Sequence, residues 1–314
     1  MNQINTLYHL IFIVKIKNIM KVCILGNGLT SLSLAKTLVN MGINVEIILN
    51  SNFEKIDKSR TLSISKKNAA FLNSKVTNIN KLSWKISNIE IFSENLKDEK
   101  VLNFENNQKE LFSIIKNYQL KNQLKKELNN NKFLTFKKVL KIKEKELFEN
   151  YNLVINTNQN NLISKKYFYK KINKDYNSFA YTAIIDHKRF KNNNTAIQIF
   201  TKNGPFAFLP ISDKQTSLVY SVRNSEEINF ENSIKKYNNR YSILKINEIS
   251  KFKLKSSNLR SYYYKNILGF GDVLHRLHPL AGQGFNMTIR DIKLLADLIK
   301  FRINHGLEIN NSIC

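Results

Sequence analysis

Val22-Cys23-Ile24-Leu25-Gly26-Asn27-Gly28-Leu29-Thr30-Ser31 decides the fold. An apolar, β-branched run of the kind that forms a buried strand enters a turn carrying two glycines. Leu32, Leu34, Ala35, Leu38, Val39 and Met41 then recur at helical spacing, and Gly42 stands where a helix C-terminal glycine belongs. Val45–Leu49 reads as a second strand. In a strand–helix–strand unit, a glycine pair becomes a dinucleotide-binding expectation. A pyrophosphate rests on backbone N–H groups at a helix start, where side chains would block its approach. Gly26 would make the tight turn, Gly28 would allow the close approach, and Ser31 occupies the third position, where glycine is usual. The second strand ends in Leu49-Asn50 without a carboxylate. Asn50 could hydrogen-bond a ribose less strongly than an acid, and Glu46, inside the strand, is expected to point elsewhere.

Beyond Ser51 the spacing loosens. Trp84, Ile86, Ile89, Ile91, Val101 and Phe104 alternate like short strands within 77–104. Residues 109–128 read as one helix, with Leu111, Ile114, Ile115, Leu120, Leu124 and Leu128 on one side. Phe133–Val139 and Tyr151–Asn156 read as strands. A β-rich block follows over 176–222, with strands expected at 180–185, 195–201, 206–209 and 217–222. A polar helix is expected at 232–244. A last strand, Ile267–Phe270, leads through Gly271-Asp272 to a helix from about Gly284 to His305. Nucleotide-type elements thus lie at both ends, with a second sheet between them. The fold class expected is α/β: a Rossmann-like domain built from both chain ends (20–75, 105–175, 255–305) with an inserted β-rich substrate domain (76–104, 176–254).

At about 150 residues per domain, 314 residues allow two domains, or one with a large insertion. A hydrophobic content of 42% is enough for a real core and excludes a disordered chain. Two cysteines, Cys23 and Cys314, exclude a disulfide framework and favour a reducing compartment. Fifty Lys+Arg against 24 Asp+Glu leave a net charge of +26. The Lys is spread over the whole chain among Asn and Ile, as an AT-rich coding bias would leave it. Attraction to anionic lipid is a second reading. Nucleic-acid binding is the least favoured, because helix-turn-helix, zinc-knuckle and aromatic RNA-binding patterns are all missing from the sequence. In residues 1–19 the apolar core Leu7–Val14 is too short to span a bilayer and lacks a secretion signal's flanks. Met20 opens the first strand, so 1–19 is expected to be an upstream over-read. A short membrane-surface anchor or a disordered tail are the other readings.

The most specific stretch is Gly271-Asp272-Val273-Leu274-His275-Arg276-Leu277-His278-Pro279-Leu280-Ala281-Gly282-Gln283-Gly284-Phe285-Asn286. It reads as a strand end, a carboxylate able to bind a polyol hydroxyl, a His-Pro turn and a Gly-x-Gly helix start. Backbone N–H groups at such a start favour negative charge. His275 and His278 find no Glu or Cys to complete a metal site, so none is expected. This stretch resembles the GD-x-x-H…HP-x-x-GQG-x-N signature of the class A flavin-dependent aromatic hydroxylases, and among them the ubiquinone-biosynthesis hydroxylases. Asp57–Ser63 resembles their D-x-R-T region, 115–120 their Asn-bearing helix, and Gly204–Pro210 their GP-x-A-x-LP strand. Arg290-Asp291 matches an R-D pair in the last helix.

That resemblance implies FAD bound without a covalent link, NAD(P)H as hydride donor, and O₂ used to hydroxylate a phenolic ring. Gly26, Gly28 and Ser31 would cradle the pyrophosphate. Arg60 would lie near the FAD phosphate or ribose, Asn117 beside the ribityl chain and Asp272 on its hydroxyls. Pro279 would lie near the flavin ring, and the backbone of Gly282, Gln283, Gly284, Phe285 and Asn286 would hold the pyrimidine edge. No side chain is expected as acid or base; His187, Tyr176, Tyr181 and Phe208 read as packing. The implied substrate is a polyprenylated phenol of ubiquinone synthesis. The implied setting is cytoplasmic and peripheral to an anionic inner membrane, with a quinone-synthesis assembly as a possible partner. Asn156-Thr157-Asn158-Gln159-Asn160-Asn161 stands where the family carries Asp-Gly, and left-handed Asn residues are expected to turn the chain there. Relatives also carry a helical tail beyond the position of Cys314. These departures motivate a second reading, a non-catalytic member of such an assembly whose flavin site has decayed.

Overall fold

The apolar alternation of the first strand is satisfied on both faces. Val22 and Ile24 enter one buried cluster with Leu32, Leu38 and the last helix, while Cys23 and Leu25 enter another with Val154, Ile163 and Phe168. A strand covered on both sides belongs at the centre of a parallel sheet. The computed structural model describes residues 20–50, 57–94, 99–105, 109–223, 228–277, 282–310 and 313. Residues 1–19 and Pro279 therefore lie outside the described residues.

The first sheet runs, edge to edge, Tyr263–Tyr264, Ile267–Gly269, Leu153–Asn156, Lys21–Leu25, Asn44–Asn50 and Leu134–Val139. All its pairings are parallel except the edge hairpin Tyr263–Leu268. The opening strand is flanked by Asn44–Asn50 and Leu153–Asn156, and the late strand Ile267–Gly269 extends the sheet on the second side. The helices Leu29–Asn40 and Gln283–Asn304 pack on one another over this sheet.

The second sheet has nine strands, dominated by the antiparallel run Ser250–Leu259, Lys171–His187, Gln215–Arg223, Gly204–Ser212 and Thr195–Thr201. Its inner face is aromatic, with Tyr181, Phe206, Phe208 and Tyr220 packed under the helix Phe230–Tyr237. A three-stranded antiparallel sheet, Thr61–Ser65, Phe112–Lys116 and Ser83–Ile86, stands beside them.

Several elements differ from the sequence reading. Residues 109–128 are not one helix: Phe112–Lys116 is a strand and the helix is Asn117–Leu128. Ile114 and Ile115 fit either period, and pairing with two strands distant in sequence settles the matter. The helix expected over 232–244 is Phe230–Tyr237. Asn238 then accepts from Tyr241 N and donates to its carbonyl, a local turn that competes with further helix. Ile243–Ile246 pairs instead with Ile185–His187. The strand expected at 180–185 runs from Lys171 to His187, its first half mostly exposed. Thr61–Ser65 and Ser250–Leu259 are further strands that alternation alone did not mark.

Candidate functional site

Among the described residues, the helix starts that lack a capping side chain include two that follow a glycine. The helix Leu29–Asn40 begins after Gly28, and the helix Gln283–Asn304 after Gly282; neither has a side-chain cap or an acid in its first turn. Four N–H groups at each helix start have no partner within the helix. A Cβ at Gly28 or at Gly284 would meet nothing within 4 Å, so both glycines border open space. Gly26 and Gly282 are required for other reasons. Gly26 has φ +130°, and a Cβ there would lie 2.5 Å from Thr157 Oγ1. Gly282 has φ +64°, and its Cβ would lie 3.0–3.3 Å from Ser63, mostly from backbone atoms. Left-handed backbone and close approach exclude other residues at both positions.

The glycine turns of the two chain ends meet. Gly271, at φ +59°, sits against the side chain of Thr30, so the glycine–aspartate turn abuts the first helix start. Asp272 is exposed there, and its carbonyl accepts from Gln159 Nε2. Arg60 and Asn117 adjoin, the amide of Asn117 donating to the Arg60 carbonyl at 3.1 Å. The Arg60 guanidinium lies over the Phe252 ring, 5.4 Å from its centroid. Asn50 ends its strand, and its side chain lies outside the described residues. Glu46 points away from the glycine loop, as expected. It is buried, accepts from Tyr151 Oη and pairs with Lys21 Nζ at 3.0 Å. Burial pushes its carboxyl up, but the hydrogen bonds from Tyr151 and Lys21 outweigh that and hold it below the ordinary carboxylate value.

Ser31 does more than permit close packing. It is fully buried, and its Oγ lies 2.7 Å from Thr157 Oγ1, which also donates to the Leu25 carbonyl. The segment 156–161 thereby closes on the glycine loop. It does not turn through left-handed asparagines, since none of its residues has positive φ. Instead the amide of Asn160 donates to Asn158 Oδ1 and that of Ser164 to Asn161 Oδ1. Side-chain oxygens make the turn that backbone conformation was expected to make.

Asn286 is a buried latch. Its Oδ1 accepts from the Ser65 amide and from Asn68 Nδ2, and its Nδ2 donates to the carbonyls of Ser63 and Gly282. It fixes the last helix start against the strand Thr61–Ser65. Phe285 packs on the core beneath, Gln283 is exposed and Gly284 faces open space. His275 Nε2 lies 3.2 Å from Asp291 Oδ2, which places the last turn beside the last helix. Burial pushes the Asp291 carboxyl up, while His275 and Arg290 draw it down.

The sequence reading missed a polar seam between the three-stranded and the nine-stranded sheet. Lys116 Nζ donates to Gln215 Oε1 at 2.6 Å, and Gln215 Nε2 donates to Asp186 Oδ1. Ser59 meets Thr182, and Thr61 meets Ser217, hydroxyl to hydroxyl. Burial lowers the Lys116 ammonium, with Asp186 opposing. Only the charge at Lys116 could have flagged this seam, and its partners lie about 100 residues away. His187, Tyr181 and Phe208 are buried; His187 bonds Thr216, and its ring lies tilted against that of Tyr241. A basin of about 440 Å³, lined by Trp84, Arg189 and Asp213 among others, contains none of the expected residues. It has no helix start and no open glycine, so the glycine cleft is the stronger candidate.

Residues 214–305, which include the last strands, the glycine–aspartate turn and the last helix, match the family model described as an FAD binding domain. This part of the chain is thus similar to an FAD binding domain. Ubiquinone biosynthesis monooxygenase COQ6 of Schizosaccharomyces pombe is 24% identical over 185 residues, 44% of this chain and 39% of that protein. The 3-demethoxyubiquinol 3-hydroxylase of Escherichia coli is 32% identical over 118 residues, 35% of this chain and 30% of that protein. The chain thus spans well under half the length of these two curated relatives. In fold it is similar to p-nitrophenol 4-monooxygenase PnpA of Pseudomonas putida, with TM-score 0.74, 12% identity, and 94% and 83% of the two chains covered. A variant of Klebsiella pneumoniae HpxO, complexed with FAD, has TM-score 0.68 at 11% identity, over 90% and 81%.

The glycine cleft fits that cofactor on its own chemistry. FAD offers an anionic pyrophosphate, a polyol chain and a ring edge that becomes negative on reduction. The cleft offers two uncapped helix starts, an exposed carboxylate and two glycines whose added methyl groups would fill the space.

Proposed function

We propose that this chain is an FAD-dependent monooxygenase that hydroxylates the ring of a polyprenylated phenol in ubiquinone synthesis, using NAD(P)H and O₂. The observation that carries the reading is the pair of uncapped helix starts, contributed by opposite chain ends and bordered by open glycines. The start at Gly28 would bind the pyrophosphate, and Asp272 would accept from ribityl hydroxyls. Arg60 and Asn117 would flank that path, and the N–H groups after Gly282 would hold the pyrimidine edge. FAD, when bound, supplies the redox and oxygen chemistry; the protein supplies position and water exclusion. Asn286 keeps the second helix start aligned. In this reading 20–75, 105–175 and 255–305 serve the cofactor, and 76–104 and 176–254 the substrate. The basic chain would meet anionic lipid peripherally.

The relatives' names support the substrate class. The replacement of Asp-Gly by 156–161 favours one alternative, a member of a quinone-synthesis assembly that does not turn over. Purification and spectroscopy distinguish them. The enzyme should retain or take up FAD and consume O₂ with NAD(P)H in the presence of a short-chain prenylphenol, yielding the hydroxylated ring by mass spectrometry. Protein that ignores added FAD, or binds it and never turns over, overturns the catalytic reading.

A further inference from the structure

One face of the molecule interleaves exposed aromatic rings with lysines. The strand pair Tyr263–Tyr264 and Ile267–Gly269 forms the outer edge of the parallel sheet. Tyr262 and Tyr263 are 56% and 51% exposed, and Tyr169 and Ile172, across the junction, 63% and 59%. These residues belong to one surface. The Arg260 amide donates to the Lys170 carbonyl at 3.0 Å, and Ile172 pairs in register with Asn258. Tyr264 stacks on Tyr167, centroids 4.0 Å apart.

The surface is held in place by its own contacts. Asn266, in the hairpin turn, donates to the carbonyls of Leu147 and Tyr151, and Lys265 takes φ +52° to make that turn. Lys265 Nζ lies 4.4 Å from the Phe148 centroid and 5.9 Å from that of Tyr264, and Lys170 Nζ lies 5.9 Å from that of Tyr169. Among the described residues no acidic side chain lies within ion-pair distance of Lys170, Arg260 or Lys265.

We infer that this Tyr–Lys face docks the protein on an anionic bilayer surface. The inference rests on the membrane contact of the proposed function and deepens it by naming the face. Charge complementarity selects the occupant. Tyrosine rings with a polar tip settle at the headgroup level, where lysine and arginine meet lipid phosphates. A protein partner would favour a face whose centre is depleted of lysine, and here the lysines lie over the rings themselves. The face is also preorganised, so docking orders few side chains.

The test is sedimentation of the full chain, with its flavin content recorded, on phosphatidylcholine vesicles with and without an equal part of phosphatidylglycerol. The variant Lys170→Glu, Arg260→Glu, Lys265→Glu is compared with Lys125→Glu, Lys126→Glu, Lys132→Glu, which changes the net charge equally on another surface. The wild type should partition onto the anionic vesicles only. The face variant should lose on the order of a hundredfold in partition, at about fivefold for each cation removed, and the control far less. Tyr263→Trp should shift its emission to the blue on the anionic vesicles. Equal losses in both triple variants, or no vesicle binding by the wild type, overturns the inference. Flavin content and turnover in detergent report separately on the catalytic reading.

Discussion

Gly284→Ala separates folding from cofactor binding. Gly284 is the second residue of the last helix, and its added methyl would meet nothing within 4 Å. In the apoprotein the substitution removes a helix-weakening residue and should stabilise by about 0.5–1 kcal/mol, or about 2 °C in melting temperature. On the proposed reading, with FAD present, the same methyl would occupy the space of the ring edge. Overpacking of a close contact costs about 1–3 kcal/mol, so FAD affinity should fall about 5- to 150-fold. The control is Gly42→Ala. Gly42 has φ +77° and also faces open space, but it follows the C-terminal end of the first helix. It should lose about 1–2 kcal/mol of stability through left-handed strain and bind FAD normally. Thermal unfolding of the apo forms and titration of flavin fluorescence read the two effects. If Gly284→Ala binds FAD as tightly as the wild type, or if both variants lose affinity alike, the cleft does not hold the flavin.

Asn286→Ala removes the side chain that joins the last helix to Ser63, Ser65 and Asn68. Buried backbone groups lose their partners, so denaturant unfolding should show a loss of about 2–4 kcal/mol. Glu46, held below its ordinary value, contributes stability that is present above its unfolded pKa of about 4 and disappears as the pH falls through the folded value. Glu46→Gln should therefore destabilise at neutral pH by about 1–3 kcal/mol and flatten the acid limb of a stability–pH curve; an unchanged limb would assign acid sensitivity elsewhere. Burial pushes the Cys23 thiol well up. It should resist a thiol reagent in native protein near pH 8 and react fully in denaturant, a difference that colour development measures.

The local parts of the fold were legible because local periodicity governs them. The run Val22–Leu25, the helix spacing to Met41 and Gly42 fall where the structure puts them, since burial on both faces and a left-handed helix end leave few residue choices. The segment 109–128 was misread for the opposite reason. Ile114 and Ile115 suit two periods, and the deciding pairs, Leu62 with Ile115 and Trp84 with Ile114, come from elsewhere in the chain. The candidate site divides in the same way. Gly26, Gly271 and Gly282 could be found because backbone geometry and close approach demand glycine there, and Gly28 and Gly284 through their spacing from them. Asn286 was found through its neighbours, but its latch could not be, because its partners lie more than 200 residues upstream. The seam of Lys116, Gln215 and Asp186 left no signal beyond the charge of Lys116, because polar pairs carry no spacing rule.

The parallel sheet takes one strand from the very start of the described chain and another, Ile267–Gly269, from near its finish. During synthesis on the ribosome, Leu153–Asn156 therefore waits with one side unpaired until that late strand emerges, and the second helix start comes later still. Long-range pairing of this kind is slow and prone to aggregation while it waits. A chain cut short before Ile267 would keep the glycine loop, lack half the cleft and offer a bare apolar edge to chaperones and proteases. Loss-of-function truncations should accordingly show as lost protein before they show as lost chemistry.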